Sequence, residues 1–568
     1  MYFNSQGKEE VTYDAIVVGS GISGGWAAKE LTEKGLKTLV LEKGRDVKHV
    51  LDYKTMNMDP WDFEGRQNRD QEKLKRQQKQ DRTGYTTDPA WAHWFVDDVD
   101  HPYSEVKRFD WMRGYHLGGR SLTWGRQSYR MSKMDFEANE KEGVAVPWPV
   151  KYEELAPWYD YVEGFAGISG NKDGFKQLPD GNYLPPMDLN CLEKDVKAKI
   201  EANFAGRNLT IGRTAHLTKP HNGRGQCQSR NRCMRGCPYG AYFSSLSATL
   251  PAAEKTGNLT IRPNSVVHTL IFDPETQKAT GVQIVDGETG ESHEYYAKVI
   301  FLCASAVAST LILMNSTSDR FPEGMGNDSG ELGHNNMDHH FRVGATGRSD
   351  DFGDKYYVGR RPNGIYIPRF RNIDKKSETK DFIRGYGYQG GASRSDWTDY
   401  VKELGFGAEI KEAMFAPGPW QMGITAFAEC LPYHENKMMI NHDVKDKYGL
   451  PTVTFDAEWK ENEKAMKEDM MIQAAEMLEA AGLKNVSTWD RWSSPGLGIH
   501  EMGTARMGRD PKTSVLNKNN QVHAVKNVFV TDGAFMTSAG CQNPSLSYMA
   551  FTARAADYAV KELNKQNL

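Results

Sequence analysis

The hydrophobic pattern changes period along the chain, and each change marks a part. Asp14-Ala15-Ile16-Val17-Val18 is a short β-branched run that breaks at Gly19-Ser20-Gly21-Ile22-Ser23-Gly24-Gly25. A helix-forming stretch from Trp26 to Glu33 follows, Gly35 stands where it would end, and Thr38-Leu39-Val40-Leu41 is a second apolar run. Two short, continuously apolar runs around a helix predict a βαβ unit with buried parallel strands. Strand-like runs return at Leu259–Pro263, Ser265–Phe272, Gly281–Val285 and Lys298–Ala306, the last ending in small residues before a helix over Val307–Met314. Lys151–Phe165 predicts another helix. From Asp351 to about Trp459 strand-like pieces alternate with turn glycines and aromatics (Tyr356, Tyr357, Tyr366, Phe370, Tyr386, Tyr388, Trp397), which predicts an antiparallel sheet. Lys460–Ala481 has the period of an amphipathic helix stopped by Gly482, and Val528–Val530 is a strand before Asp532-Gly533 and a small-residue helix over Tyr548–Val560.

The first βαβ unit carries chemistry. Gly19 permits a tight strand-to-helix turn, Gly21 lets backbone approach a pyrophosphate, and Gly24 lets helix and strand pack closely. The start of the helix, at Ile22 and Ser23, offers free N–H groups and partial positive charge to phosphate. Glu42 follows the second strand, 23 residues after Gly19, where a carboxylate accepts from a ribose diol, with Lys43 beside it. A dinucleotide site is expected; the fingerprint alone leaves FAD and NAD open. A second glycine-rich turn, Tyr115 to Gly125, places Gly118 and Gly119 before Ser121 and Thr123, a backbone suited to contact with a planar ring.

At 568 residues, 39% hydrophobic and 26% charged with a formal charge of −4, the chain is expected to form two or three lobes, with no general affinity for nucleic acid. Arg66–Arg82 holds seven basic and three acidic residues but no aromatic platform, so a solvated segment is the expectation and a docking surface the alternative. Trp91, Trp94, Phe95, Tyr103, Phe109, Trp111 and Tyr115 crowd the next stretch, either core or a loop over something flat. No run is long enough to span a membrane, and Met1–Glu10 lacks a charged region followed by an apolar one. No signal peptide of its own is therefore expected, which fits a bacterial cytoplasm, or a periplasm reached with a partner subunit.

Seven cysteines argue against a disulfide framework, and three of them, Cys227, Cys233 and Cys237, fall within eleven residues of a Gly- and Arg-rich loop. Arg224, Arg230, Arg232 and Arg235 are expected to lower their pKa values. The C-x5-C and C-x3-C spacings and the trailing Pro238 suit an iron–sulfur cluster better than zinc, which wants a fourth ligand such as His221; three reduced structural thiols are the plain alternative. Gly333–His340 (GHNNMDHH) carries three histidines without a helical ligand pair. The last eighty residues hold His500-Glu501-Met502-Gly503-Thr504 and Cys541-Gln542-Asn543-Pro544-Ser545, where Pro544 can start a helix and fix Asn543.

Together these spaced motifs resemble the glucose–methanol–choline (GMC) oxidoreductases over nearly the whole chain. The matching positions are the fingerprint with Glu42, Gly118-Gly119, the Val299–Leu313 strand and helix, Gly333 with Asp338-His339, His500-x-x-Gly-Thr, Asp532-Gly533 and Asn543-Pro544. The cysteine loop is similar to that of catalytic subunits of bacterial FAD/iron–sulfur sugar dehydrogenases of the glucoside 3-dehydrogenase type, although many of those have paired cysteines where Gln226 precedes Cys227. The resemblance implies an α/β fold: a Rossmann-like FAD domain of the GMC/p-hydroxybenzoate-hydroxylase kind with an antiparallel-sheet substrate lobe. Residues 1–50, 110–135, 190–335 and 490–568 would form the FAD domain, with the cluster loop at 224–240, and 51–109, 136–189 and 336–489 the substrate lobe.

It further implies non-covalent FAD, since Thr123 stands where covalently flavinylated relatives have His. The FAD would lie on Gly19, Gly21, Ile22, Ser23, Gly24, Glu42, Lys43, Gly118, Gly119, Ser121, Thr123, Val267, Ala304, Asp532, Gly533, Asn543, Pro544 and Ser545. His500 would be the general base and Asn543 its hydroxyl-orienting neighbour. A 3Fe-4S cluster on the three cysteines would pass electrons to an acceptor such as a cytochrome, with a small signal-bearing subunit as a further partner. The implied reaction is oxidation of a secondary hydroxyl, C3, of glucose or a glucoside to a ketone. An oxygen-using sugar oxidase and a non-redox FAD lyase are the alternatives.

Overall fold

The computed structural model describes residues 12–65, 70–356, 361–394, 407–415 and 418–568. Met1–Glu10, Arg66, Tyr357 and Trp397, singled out in the sequence, lie outside them.

The first apolar run is the strand Tyr13–Val18, in parallel register with Thr38–Leu41 on one side and the end of Ser292–Leu302 on the other. Leu259–Arg262 and Val528–Val530 extend the parallel set at its two flanks. Alternate side chains enter two cores: Ile16, Val18, Leu39, Leu41, Ile300 and Leu302 on one face, Ala15, Val17, Val40, Val299 and Phe301 on the other. Burial of both faces is why these strands read as unbroken apolar runs. The helices Ile22–Glu33 and Ser545–Asn564 cover the second face with Ala27, Ala28, Ala555, Ala556 and Ala559. Ser292–Leu302 begins earlier than its apolar end suggests. Its first half pairs antiparallel with Lys278–Asp286, which pairs with Ser265–Asp273.

The expected antiparallel lobe is a six-stranded sheet in the order Lys484–Asp490, His340–Ser349, Trp420–Ala428, Tyr386–Arg394, Ile365–Ile367, Thr210–Ile211. Trp420, Met422, Ile424 and Ala426 point from one strand into a core closed by the helices Glu461–Ala480 and Cys191–Asn203. Thr425 and Phe427, the alternate residues, look the other way into a cavity.

The lobes are cut differently from the sequence expectation at two places. Cys191–Asn203 and Thr210–Ile211, expected in the FAD domain, belong to the antiparallel lobe. Tyr152–Ala166, expected in the substrate lobe, packs with the first: its Phe165 lies edge-on to Trp26 and its Tyr159 hydroxyl meets Ser547 Oγ at 2.6 Å. A two-residue strand has no readable period, and an amphipathic helix does not state which sheet it covers. In the described part of the Arg66–Arg82 run, Arg76 pairs with Asp97 and Asp100, and Arg82 with Glu105 and Asp110. No helix among the described residues is long and apolar enough to cross a membrane.

Candidate active site

One elongated cavity of about 530 Å³ runs from the first βα turn to His500 and Asn543. Of the residues expected to bind the cofactor, Gly19, Gly21, Ile22, Ser23, Glu42, Lys43, Gly119, Ser121, Thr123, Val267, Ala304, Asp532, Gly533, Asn543 and Ser545 line it. Gly24, Gly118 and Pro544 stand behind the wall. A Cβ on Gly24 would lie 1.9 Å from the Gly19 carbonyl oxygen, so its role is helix–strand packing. Gly118 has φ +84° and donates its N–H to Ser20 Oγ, tying the two glycine turns together. Pro544 sits at the start of the Ser545–Asn564 helix.

The cradle fits a dinucleotide. The helix Ile22–Glu33 has no side-chain cap at Gly21, so its first N–H groups face the cavity unsatisfied, as a pyrophosphate site requires. A Cβ on Gly21 would meet nothing within 4 Å, which makes room for a ligand rather than for protein. Glu42 is fully buried at the cavity wall; its carboxylate accepts from Ser20 N and Oγ and from Gly44 N. Burial pushes its pKa up, against the Ser20 and Gly44 hydrogen bonds that hold it down. Glu501 Oε1 and the Tyr548 hydroxyl, on residues that line the cavity, are buried without a hydrogen-bond partner among the described residues. Such orphaned atoms are costly unless a ligand satisfies them. The aromatic stretch divides: Phe95, Trp111 and Tyr115 line the cavity, while Trp94, Tyr103 and Phe109 are core.

At the inner end the hydrogen bonds assign protons. His339 Nε2 lies 2.6 Å from the Gly540 carbonyl oxygen, which only accepts, so this nitrogen carries the hydrogen. Burial lowers the His339 pKa to about 4, so the ring is neutral at pH 7 and its Nδ1 is an acceptor. His500 Nδ1, 2.8 Å away, therefore donates to it. That leaves His500 Nε2 as a bare lone pair beside Asn543 Nδ2, at 3.5 Å. Burial, then His339 and Arg120, hold the His500 pKa well below the ordinary histidine value. Gln389 Nε2 donates to Asn543 Oδ1 at 2.6 Å, which orients the amide with its NH2 toward His500.

Asp338 fixes the loop that carries His500. Its carboxylate accepts the N–H groups of His339 (2.8 Å), Gly498 (2.8 Å) and His500 (3.1 Å). Burial, reinforced by Glu501, outweighs those three bonds and raises its pKa to about 7. His339, Asp338 and Gln389, which the sequence does not mark as site residues, hold His500 and Asn543 by these hydrogen bonds. His339 was read among three clustered histidines, yet the backbone sends them apart: His334 stacks on His434, and His340 accepts from Trp492.

The cysteine loop differs from expectation. Arg230 donates to Met56 O and Asn57, Arg232 to Asp59, Arg235 to Met58 O, and Arg224 to Ala166 O. The guanidiniums thus anchor neighbouring segments, and burial, aided by Cys233 and Cys237, pushes the Cys227 thiol up rather than down. His221 is engaged by Gly164 O at 2.8 Å; the histidine next to a thiol is His216, whose Nε2 lies 3.6 Å from Cys233 Sγ. Among the described residues no three such side chains are gathered as a metal site, so the thiols as placed do not form a ligand set. The loop does reach the cavity wall: Met234 Sδ accepts from the Tyr85 hydroxyl, and Tyr85 lines the cavity beside Thr123.

An uncapped glycine-turn helix, a buried acid after the second strand and a bare imidazole nitrogen at the far end of one cavity join a dinucleotide cradle to a group that can take a proton. Family models for GMC oxidoreductase match residues 13–341 and 432–552, and the chain belongs to that family. It is an FAD-binding oxidoreductase acting on CH–OH donors. Fructose dehydrogenase large subunit from Gluconobacter japonicus is 27% identical, covering 98% of this chain and 99% of the relative. 2-Methyl-1,2-propanediol dehydrogenase from Mycolicibacterium austroafricanum is 28% identical over 96% and 94%. The fold matches a crystal structure of formate oxidase with a TM-score of 0.64 at 14% identity, over 99% and 100% of the two chains.

Proposed function

We propose that the protein is an FAD-dependent dehydrogenase that oxidises a secondary hydroxyl of a sugar or glycoside to a ketone, in the finest form of this reading at C3 of a glucoside. The observation that carries it is the unprotonated His500 Nε2, held beside Asn543 in the cavity that also contains the dinucleotide cradle. When bound, FAD supplies the hydride acceptor for such an alcohol. His500 takes the hydroxyl proton at Nε2, and Asn543 donates from Nδ2 to the substrate oxygen, so the C–H bond is presented in one orientation. Gln389 keeps that amide from turning over, and Asp338 keeps the base in place. The buried surroundings disfavour a lasting imidazolium, so His500 passes the proton on and regains its neutral form.

A second proposal concerns the acceptor. Cys227, Cys233 and Cys237 lie half-buried on one loop, and Cys233 and Cys237 both act on the Cys227 thiol, which supports a 3Fe-4S cluster held by a more closed arrangement of the loop. Its proximity to the cavity through Met234 and Tyr85 favours an electron acceptor other than oxygen, such as a cytochrome, and the fructose dehydrogenase relative is by name a large subunit. The test is anaerobic titration of the FAD-loaded protein with methyl glucoside, with iron and sulfide analysis and product identification by NMR. Flavin bleaching with a 3-keto product supports the first proposal; failure of every sugar and diol to bleach the flavin overturns it. Near-stoichiometric iron with an EPR signal that changes on reduction supports the second, and iron-free protein with full activity overturns it.

A further inference from the structure

The cavity continues past the base. Beyond Gln389 it opens into an outer chamber walled by Thr83, Gly84, Phe341, Arg342, Trp489 and Arg491. Phe341 and Phe427 stack there with ring centroids 4.8 Å apart and form an apolar wall, suited to the C–H face of a sugar ring. The polar side is unusual for a neutral substrate. Arg342 donates only to the Thr83 carbonyl, at 3.1 Å, and among the described residues neither Arg342 nor Arg491 forms an ion pair with a carboxylate. The acid that acts on Arg342 is Asp110, and Asp110 is already held by Arg82 at 2.7 Å and Arg108 at 3.0 Å. Arg491 and Arg108 both act against the Arg342 charge. Among the described residues that line the chamber, Arg342 and Arg491 are the charged ones, and no Asp or Glu stands with them.

Arg342 is half-buried and Arg491 exposed at the chamber wall, and guanidinium groups match the planar oxygens of carboxylate and phosphate. We propose that the substrate carries an anionic group, which Arg342 and Arg491 hold in the outer chamber while the hydroxyl to be oxidised lies at His500 and Asn543. The proposal rests on the oxidation reading above and deepens it: the substrate class is an acidic glycoside or a sugar acid ester. A uronic carboxylate and a sugar phosphate share the recognised chemistry.

The test measures kcat/KM of the FAD-loaded full chain on methyl glucoside, methyl glucuronide and a methyl glucoside phosphate, at low and high salt. An anionic substrate is expected to exceed the neutral one by about tenfold or more at low salt, chiefly through KM, with the advantage shrinking as salt screens the charges. Which anion is preferred distinguishes carboxylate from phosphate. Arg491→Gln should cut the anionic-to-neutral ratio by about tenfold, and Arg491→Lys should restore part of it. A neutral glucoside that matches both anions at low salt, or an R491Q that lowers all three alike, overturns the proposal. If no donor bleaches the flavin, the oxidation reading has failed instead. Calorimetric binding of methyl glucuronide to wild type and R491Q then still decides the arginine assignment, with equal affinities counting against it.

Discussion

His339 decides which nitrogen of His500 keeps a free lone pair, because the Gly540 carbonyl fixes one proton and the fixed proton fixes the next. His339→Ala removes that constraint and is expected to lower kcat/KM about tenfold. His339→Gln, whose amide can donate to Gly540 and accept from His500, should recover most of it, whereas His500→Ala loses about 10²–10⁴-fold. The rate profile carries the same logic. His500 titrates well below its ordinary value, so no acid limb near pH 6.5 is expected from it. An inflection close to pH 7 would belong to Asp338, whose pKa is raised to about 7, and should vanish in Asp338→Asn. For stability the sign is negative at high pH: the folded state keeps this proton where the unfolded chain has lost it, so Asp338 stabilises progressively less as pH rises from about 4 to 7. The thermal midpoint measured across that window should slope less in Asp338→Asn. His500 and Asn543 were legible because each stands in a spaced motif. The pairings of His339, itself in a matched motif, with His500 and Gly540, and of Gln389 with Asn543, are not legible that way, since the partners lie 154 to 201 residues apart in the chain.

Elements explain which glycines bear on the ligand and which on the fold. A Cβ at Gly21 meets nothing, whereas one at Gly24 runs into the Gly19 carbonyl oxygen. Gly21→Ala should fold with unchanged circular dichroism and thermal midpoint in the FAD-free state but bind FAD more weakly. Gly24→Ala should lose stability by about 1–3 kcal/mol even without FAD, through overpacking of the helix on the strand. Equal behaviour of the two in FAD titration and FAD-free melting would contradict the division. The same elements show how far sequence reading reaches. Strands buried on both faces announce themselves as apolar runs, as Tyr13–Val18 and Val528–Val530 do. Ser292–Leu302 was legible only from its buried end, because its first half alternates between exposed and half-buried positions. The arginines around the cysteines misled for another reason: composition places them near the thiols, but their hydrogen bonds go to the 56–59 segment and the Ala166 carbonyl.

At the scale of the whole molecule, the cavity is the seam between two sheets. Gly21, Ala304 and Asp532 come from the parallel sheet and its turns, Gln389 and Phe427 from the antiparallel lobe. Each lobe has its own core, and contacts such as the Gln389–Asn543 bond and the Tyr129–Tyr366 stack join them. A ligand filling this seam touches both lobes and stabilises the folded chain by RT ln(1 + [L]/Kd), about 4 kcal/mol at a thousandfold excess over Kd. Removing FAD is therefore expected to lower the thermal midpoint by several degrees, and adding it back should raise the midpoint in a concentration-dependent way. In Gly21→Ala the same rise should need more FAD, because the residue stands where ligand rather than protein occupies space. Differential scanning calorimetry of wild type and variant across an FAD series measures both effects. A midpoint indifferent to FAD would mean that the seam is held by protein contacts alone, and the buried orphan atoms Glu501 Oε1 and Tyr548 Oη would then need another partner.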